Sequence, residues 1–139
     1  MTQHGDELVD FLLEETGDTL YVVVEYDADE WRFLYVRDAV RERIEGWKIH
    51  TDEIIDDFRR EAHRNTDREQ LFDVGSFYCS LHLFDELLLV HFSQPDEQGI
   101  IFGYDPAAAS HLTTFVKLCL PHLREQVLAD VGGQPSWQN

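Results

Sequence analysis

The chain has 139 residues with 28 Asp+Glu against 11 Lys+Arg, a formal net charge of −17. That length is about one domain and buries roughly two-thirds of the surface of its unfolded chain, so a single core forms without staples. The negative charge repels phosphate backbones and acidic lipid and so excludes a basic nucleic-acid or membrane-surface binder, while 43% hydrophobic and 12% aromatic residues exclude a disordered chain.

Taken in chain order, Asp6 is placed to cap a first helix whose Leu8, Val9, Leu12 and Leu13 share one face and which stops at Gly17. Residues 19–26 and 31–37 are β-branched and aromatic runs around the turn cluster 27–30, which predicts a hairpin. A four-residue loop pairs Tyr26 with Trp31, Glu25 with Arg32, Val24 with Phe33, Val23 with Leu34 and Val22 with Tyr35. In that register Tyr26, Trp31, Phe33 and Tyr35 form an aromatic group on one hairpin. Asp38 then caps a short helix with Val40, Ile44 and Trp47 on one side. A longer helix begins at Thr51 or Asp52, with Ile54, Ile55, Phe58 and Ala62 inward and Asp56, Asp57, Arg59, Arg60 and Glu61 outward. Residues 65–73 read as a connecting turn or short helix ending at Gly75.

The clearest hairpin pairs residues 77–84 with 87–92 through Asp85-Glu86. A two-residue loop sets Phe84 opposite Leu87, Leu83 opposite Leu88, His82 opposite Leu89, Leu81 opposite Val90 and Ser80 opposite His91. Cys79, Leu81, Leu83, Leu88, Val90 and Phe92 then form the expected core face, with Tyr78, Ser80, His82, Phe84, Leu87, Leu89 and His91 on the other. A fifth strand covers 100–104. Asp105-Pro106 starts a last helix with Leu112, Phe115, Val116, Cys119, Leu120, Leu123 and Val127 inward and Pro121 expected to kink or divide it. The expected organisation is a single α+β domain over 1–131 and a flexible C-terminal tail over 132–139.

No spacing in the chain fixes a catalytic or cofactor site. The seven His fall in no HExxH or Cys/His pattern, so neither metal nor cofactor is expected. Cys79 and Cys119 sit at apolar positions and read as two buried thiols. The residues best placed to line a ligand site are Tyr26, Trp31, Phe33 and Tyr35 on the first hairpin and His82 and His91, diagonal neighbours on the second. The N-terminus has no basic and apolar signal segment, and no apolar run reaches bilayer length, so a cytoplasmic protein is expected.

Two and then three adjacent strands broken by helices predict a five-stranded antiparallel sheet flanked by helices, in the order α-β-β-α-β-β-β-α. That order resembles roadblock and profilin-like domains and, more loosely, sensor domains of the GAF and PAS type. Leu8-Val9-Asp10-Phe11-Leu12, Phe84-Asp85-Glu86 with Val90-His91-Phe92, and Asp105-Pro106-Ala107-Ala108-Ala109 with Leu112-Thr113-Thr114-Phe115-Val116 are similar to a group of short haloarchaeal proteins of uncharacterised function. Nine Arg against only Lys48 and Lys117, with carboxylates in nearly every segment, agree with a surface adapted to molar salt, where screening falls to about 3 Å. These resemblances imply no catalytic residue. The leading expectation is a non-enzymatic interaction or regulatory module, homodimeric or bound to another cytoplasmic protein, with no nucleic-acid or membrane partner. The alternative is a small-molecule sensor whose pocket lies on the aromatic sheet face or beside His82 and His91. The remaining alternative is a hydrolase or metal enzyme using those two histidines and a nearby carboxylate.

Overall fold

A computed structural model describes residues 2–47, 50–94 and 96–129. The chain divides into two compact units, Met1–Ala108 and Ala109–Asn139. The first holds helix α1 (Thr2–Thr16), strands β1 (Leu20–Tyr26) and β2 (Trp31–Val36), and helices α2 (Arg41–Trp47) and α3 (Thr51–Phe72). Strands β3 (Ser80–Leu83), β4 (Leu88–Gln94) and β5 (Gln98–Tyr104) complete it. Among the described residues the second unit holds helix α4 (Ser110–Ala129), which runs through Pro121 undivided. The expected tail 132–139 lies outside the described residues, as does the inward placement of the Ile44 and Trp47 side chains.

The five strands form one antiparallel sheet in the order β2-β1-β5-β4-β3. The α+β architecture is therefore the one expected from the pattern of runs. The β3–β4 pairing follows the expected register at every position, from Ser80 opposite His91 to Leu83 opposite Leu88. Phe84 N–H donates to Leu87 C=O at 2.7 Å and closes the two-residue turn. The first hairpin keeps its register from Tyr26/Trp31 to Val24/Phe33, then a bulge between Val23 and Val24 shifts it by one residue. Tyr35 consequently faces Val23, and Val36 takes the place opposite Val22 that the sequence assigned to Tyr35. One extra residue on a pleated strand exchanges the faces of everything beyond it.

The helix boundaries also depart from expectation. α1 begins at Thr2, so Asp6 lies within it, while Gly17 follows it at φ +54, a left-handed position open to glycine without steric penalty. α3 continues through residues 65–72, where a connecting turn was expected, and ends at Asp73 in the left-handed conformation. Its inward positions explain this: Thr51, Ile55, Phe58, Ala62 and Asn65 are all buried and recur at alternating steps of four and three. The stripe carries on to Asn65 after the apolar positions stop, and residues 66–72 are exposed.

α3 packs against β4 and β5, and α1 against β1 and β2. Ile55 and Phe58 join Val22, Val24, Tyr26 and Ile101 in the core, with Phe33, Val36, Val40 and Leu89 against it. Each fully buried aliphatic or aromatic side chain contributes roughly 1.5–3 kcal/mol relative to exposure. The helix is also tethered at its polar edge. Arg59 donates to the carbonyls of Asp27 at 2.8 Å and Glu30 at 3.1 Å, and Trp31 Nε1–H donates to Asp52 Oδ1 at 2.7 Å. Asp27 Oδ1 accepts the N–H groups of Asp29 and Glu30, which holds the Asp27 carboxyl below the usual range and shapes the loop that Arg59 grips.

The face meeting α3 is therefore the one bearing His82, Leu89 and His91. Of the face expected as core, Leu88 is buried, Cys79, Leu83 and Val90 are half-buried, and Leu81 and Phe92 are exposed. Both cysteines are free and half-buried, not the fully buried thiols expected. The Tyr26 ring and the neighbouring strand leave no room at Gly99, where an added Cβ would lie 2.6 Å from Tyr26 Cζ and 2.8 Å from the Phe92 carbonyl oxygen. Gly99→Ala is expected to destabilise the fold by about 1–3 kcal/mol in urea denaturation, with Tyr26 displaced from its partner. A loss under 0.5 kcal/mol would show that the strand tolerates the methyl group.

Candidate functional site

Four side chains from four elements meet between α3 and the sheet: Glu61 from α3, His82 from β3, His91 from β4 and Tyr26 from β1. Glu61 was expected on the solvated face of its helix, yet only 7% of it is exposed. His91 is fully buried. His91 Nδ1 lies 2.7 Å from Glu61 Oε1, and Tyr26 Oη lies 2.6 Å from His91 Nε2. His82 Nε2 reaches the other carboxylate oxygen, Glu61 Oε2, at 3.0 Å. Phe58 sets its ring edge-on to both imidazoles, with centroids 4.7 Å from His91 and 5.6 Å from His82. One turn further along α3, Asn65 Nδ2 donates to Ser80 Oγ at 3.3 Å and Ser93 Oγ at 3.2 Å.

The proton positions follow from the environments. Burial pushes the Glu61 carboxyl up, but hydrogen bonds from His91, Ser80 and His82 outweigh it and hold it below the ordinary carboxylate value. Burial pulls the His91 imidazole down, only partly opposed by Glu61. Tyr26 is raised, chiefly by burial and then by the Glu61 charge. At neutral pH Glu61 is thus an acceptor, His91 is neutral and donates through Nδ1–H, and Tyr26 O–H donates to the lone pair on His91 Nε2. His82 must donate to the carboxylate through Nε2–H. Three donated protons run one way, from Tyr26 through His91 to Glu61 and from His82 to Glu61. Both nitrogens of His91 are engaged, so it has none for a ligand.

Beside this network lies a half-open cavity of about 830 Å³, bordered by the N-terminal half of α3, the sheet, Val40, Arg43 of α2, and the β3–β4 turn. Its walls are largely apolar, including Val24, Phe33, Ile55, Phe58 and Leu89, and His82 reaches it. Arg43 and Glu86, both exposed, pair at 2.8 Å on its solvent side. Among the described residues no group of three His, Cys, Asp or Glu side chains is arranged to hold a metal ion.

The six residues singled out from the sequence do not form one surface. Phe33 and His82 line the cavity. Tyr26 and His91 are bonded to each other and buried next to it. Trp31 borders a separate open depression with Asp52, Asp56 and Arg59, and Tyr35 stands across the bulge opposite Val23. Glu61 and Asn65 escaped notice because polar residues on an acidic helix read as solvated. Their signal was the spacing, since Glu61 lies three residues beyond Phe58 and Asn65 seven beyond it.

The fold and site thus define an α+β domain with a ligand-sized apolar cavity backed by a buried Tyr–His–Glu–His network. A family model, the domain of unknown function DUF7522, matches residues 6–124, and the chain belongs to that family. No match was found among curated proteins or among solved structures. Among the described residues no helix is long and apolar enough to cross a membrane.

Glu61 and His91 both bind protons more tightly in the unfolded chain than in the folded one. Their contribution is therefore fully present above about pH 6.5, the ordinary histidine value, and is lost as pH falls through the folded-state values. Glu61→Leu leaves two imidazole N–H groups without an acceptor and is expected to cost about 1–3 kcal/mol for each that stays unpaired. Urea denaturation at pH 7.5 and pH 5 should show the variant losing more stability on acidification than wild type, because without Glu61 nothing opposes the burial that lowers the His91 value. Equal pH dependence in the two proteins would exclude Glu61 and His91 as the groups responsible.

Proposed function

We propose that this chain is a small-molecule sensor domain that holds its ligand in the cavity between α3 and the sheet. The observation that carries this reading is the cavity itself: about 830 Å³, inside the ~300–1,000 Å³ range of ligand pockets, with apolar walls and a few polar groups. It favours the sensor reading over the interaction module first expected. The scarcity of Lys and the dispersed carboxylates support a role in a salt-loaded haloarchaeal cytoplasm. The element order supports kinship with roadblock and profilin-like or GAF- and PAS-type domains.

The test is saturable binding of Nile red, a neutral apolar dye, followed by fluorescence in molar KCl. One site is expected, with affinity at least ten-fold weaker in Ile54→Trp, because Ile54 lines the cavity and is 39% exposed, so the indole fills the space without disturbing the core. Failure of the dye to bind, or equal binding by the variant, removes the reading.

Homodimeric association is the second reading. It is supported by Leu71, Phe72, Val74 and Tyr78, large apolar side chains 61–83% exposed around the end of α3 and the segment after it. Light scattering at molar salt is expected to give twice the chain mass. A strict monomer over a wide concentration range would eliminate it.

A further inference from the structure

The cavity's polar lining is not neutral in what it admits. Among the described residues that line it, four carboxylates, Glu53, Asp57, Asp85 and Glu86, face one guanidinium, Arg43. Glu86 already occupies that guanidinium at 2.8 Å. Asp57 pairs with Arg60 at 3.6 Å and Glu53 lies 3.8 Å from His50, so the excess of negative charge is smaller than four. An acidic head still meets repulsion at the mouth and finds no free cation among the described lining residues, whereas a basic head finds carboxylates. At molar salt screening shortens to about 3 Å, so this selection acts by contact and not by long-range steering.

Deeper in, His82 supplies the second determinant. Its Nε2 is committed to the Glu61 carboxylate at 3.0 Å, and Glu61 is in turn held by His91, which Tyr26 bonds through its hydroxyl. The imidazole is thus fixed in orientation by a chain that begins on β1. Its Nδ1 has no protein partner among the described residues, and 34% of the side chain is open. With Nε2 carrying the proton, Nδ1 of the neutral ring is an acceptor. An apolar enclosure with a preorganised acceptor within and carboxylates at the rim matches one ligand chemistry.

We propose that the cavity selects an apolar ligand bearing a single amine, whose N–H is accepted by His82 Nδ1, while the carboxylates at the mouth turn away acids. This rests on the cavity being the ligand site. Phe33, Phe58 and Leu89 cover the hydrocarbon body. His82 fixes the head, and Glu61 is a positioning residue that acts through it.

The experiment is calorimetric titration of the full chain at pH 8 in molar KCl with three probes of one hydrocarbon skeleton, 4-phenylbutylamine, 4-phenylbutanol and 4-phenylbutyrate. The amine is expected to bind at least ten-fold more tightly than the acid, with the alcohol between them. His82→Phe should remove the advantage of amine over alcohol. The double variant Asp85→Asn with Glu86→Gln, at exposed positions, should shrink the gap between amine and acid and leave the alcohol unchanged. Equal or tighter binding of the acid overturns the proposal, as does an amine preference that survives both variants. If Nile red binds and none of the three probes does, the amine class is overturned and the cavity reading stands. If Nile red does not bind, both fall.

Discussion

A carboxylate enclosed between a helix and a sheet must be given hydrogen bonds there, and Glu61 is the point on which the rest of this structure is arranged. An unpaired anion in that position costs several kcal/mol even after relaxation. Its partners come from two neighbouring strands, His82 on β3 and His91 on β4, and His91 passes the demand on to Tyr26 on β1. These bonds are directional, unlike the apolar contacts of Ile55 and Phe58, so they fix where along the sheet α3 sits and how far it is rotated. The same placement puts the N-terminal half of the helix over the cavity. Arg59 and Asp52 hold the opposite edge by gripping the first hairpin, leaving the helix little freedom to slide.

The parts of this fold that were legible in the sequence are those governed by local pairing. The β3–β4 register followed from a two-residue turn and alternating side chains, and the five-stranded antiparallel sheet followed from adjacent runs of strand-forming residues. What was illegible depended on the approach of a distant element. That α3 covers the His82, Leu89 and His91 side of the second hairpin is decided by an element some 20 residues earlier in the chain. Of the face expected as core, Leu88 is buried and Cys79, Leu83 and Val90 are half-buried, while Leu81 and Phe92 are exposed. What the apolar count did not show is that two histidines meet Glu61 on the other side.

The bulge in the first hairpin belongs to the same class of hidden fact. Val23 pairs with Tyr35 instead of Leu34, and nothing in a run of β-branched and aromatic residues marks where a residue is skipped. Its effect on the candidate site is large, because it removes Tyr35 from the aromatic group and leaves Phe33 as the one of those four aromatics that lines the cavity. Half of the site could be named from the sequence, namely Phe33, His82 and, within the network, Tyr26 and His91. Glu61 and Asn65 could not, because acidic and amide residues on a highly charged helix look the same whether they meet water or a buried imidazole.

Tyr26 and Gly99 illustrate how such an arrangement binds distant parts of the chain. The phenol ring occupies the space that any side chain at position 99 would need, and its hydroxyl closes the proton chain that ends at Glu61. A methyl group at 99 and the hydroxyl at 26 are mutually exclusive occupants of one volume. The two positions are therefore linked: a phenylalanine at 26 would leave His91 Nε2 without its donor, and the ring carbon and the Phe92 carbonyl would still crowd a methyl group at 99, so neither site has an easy first step.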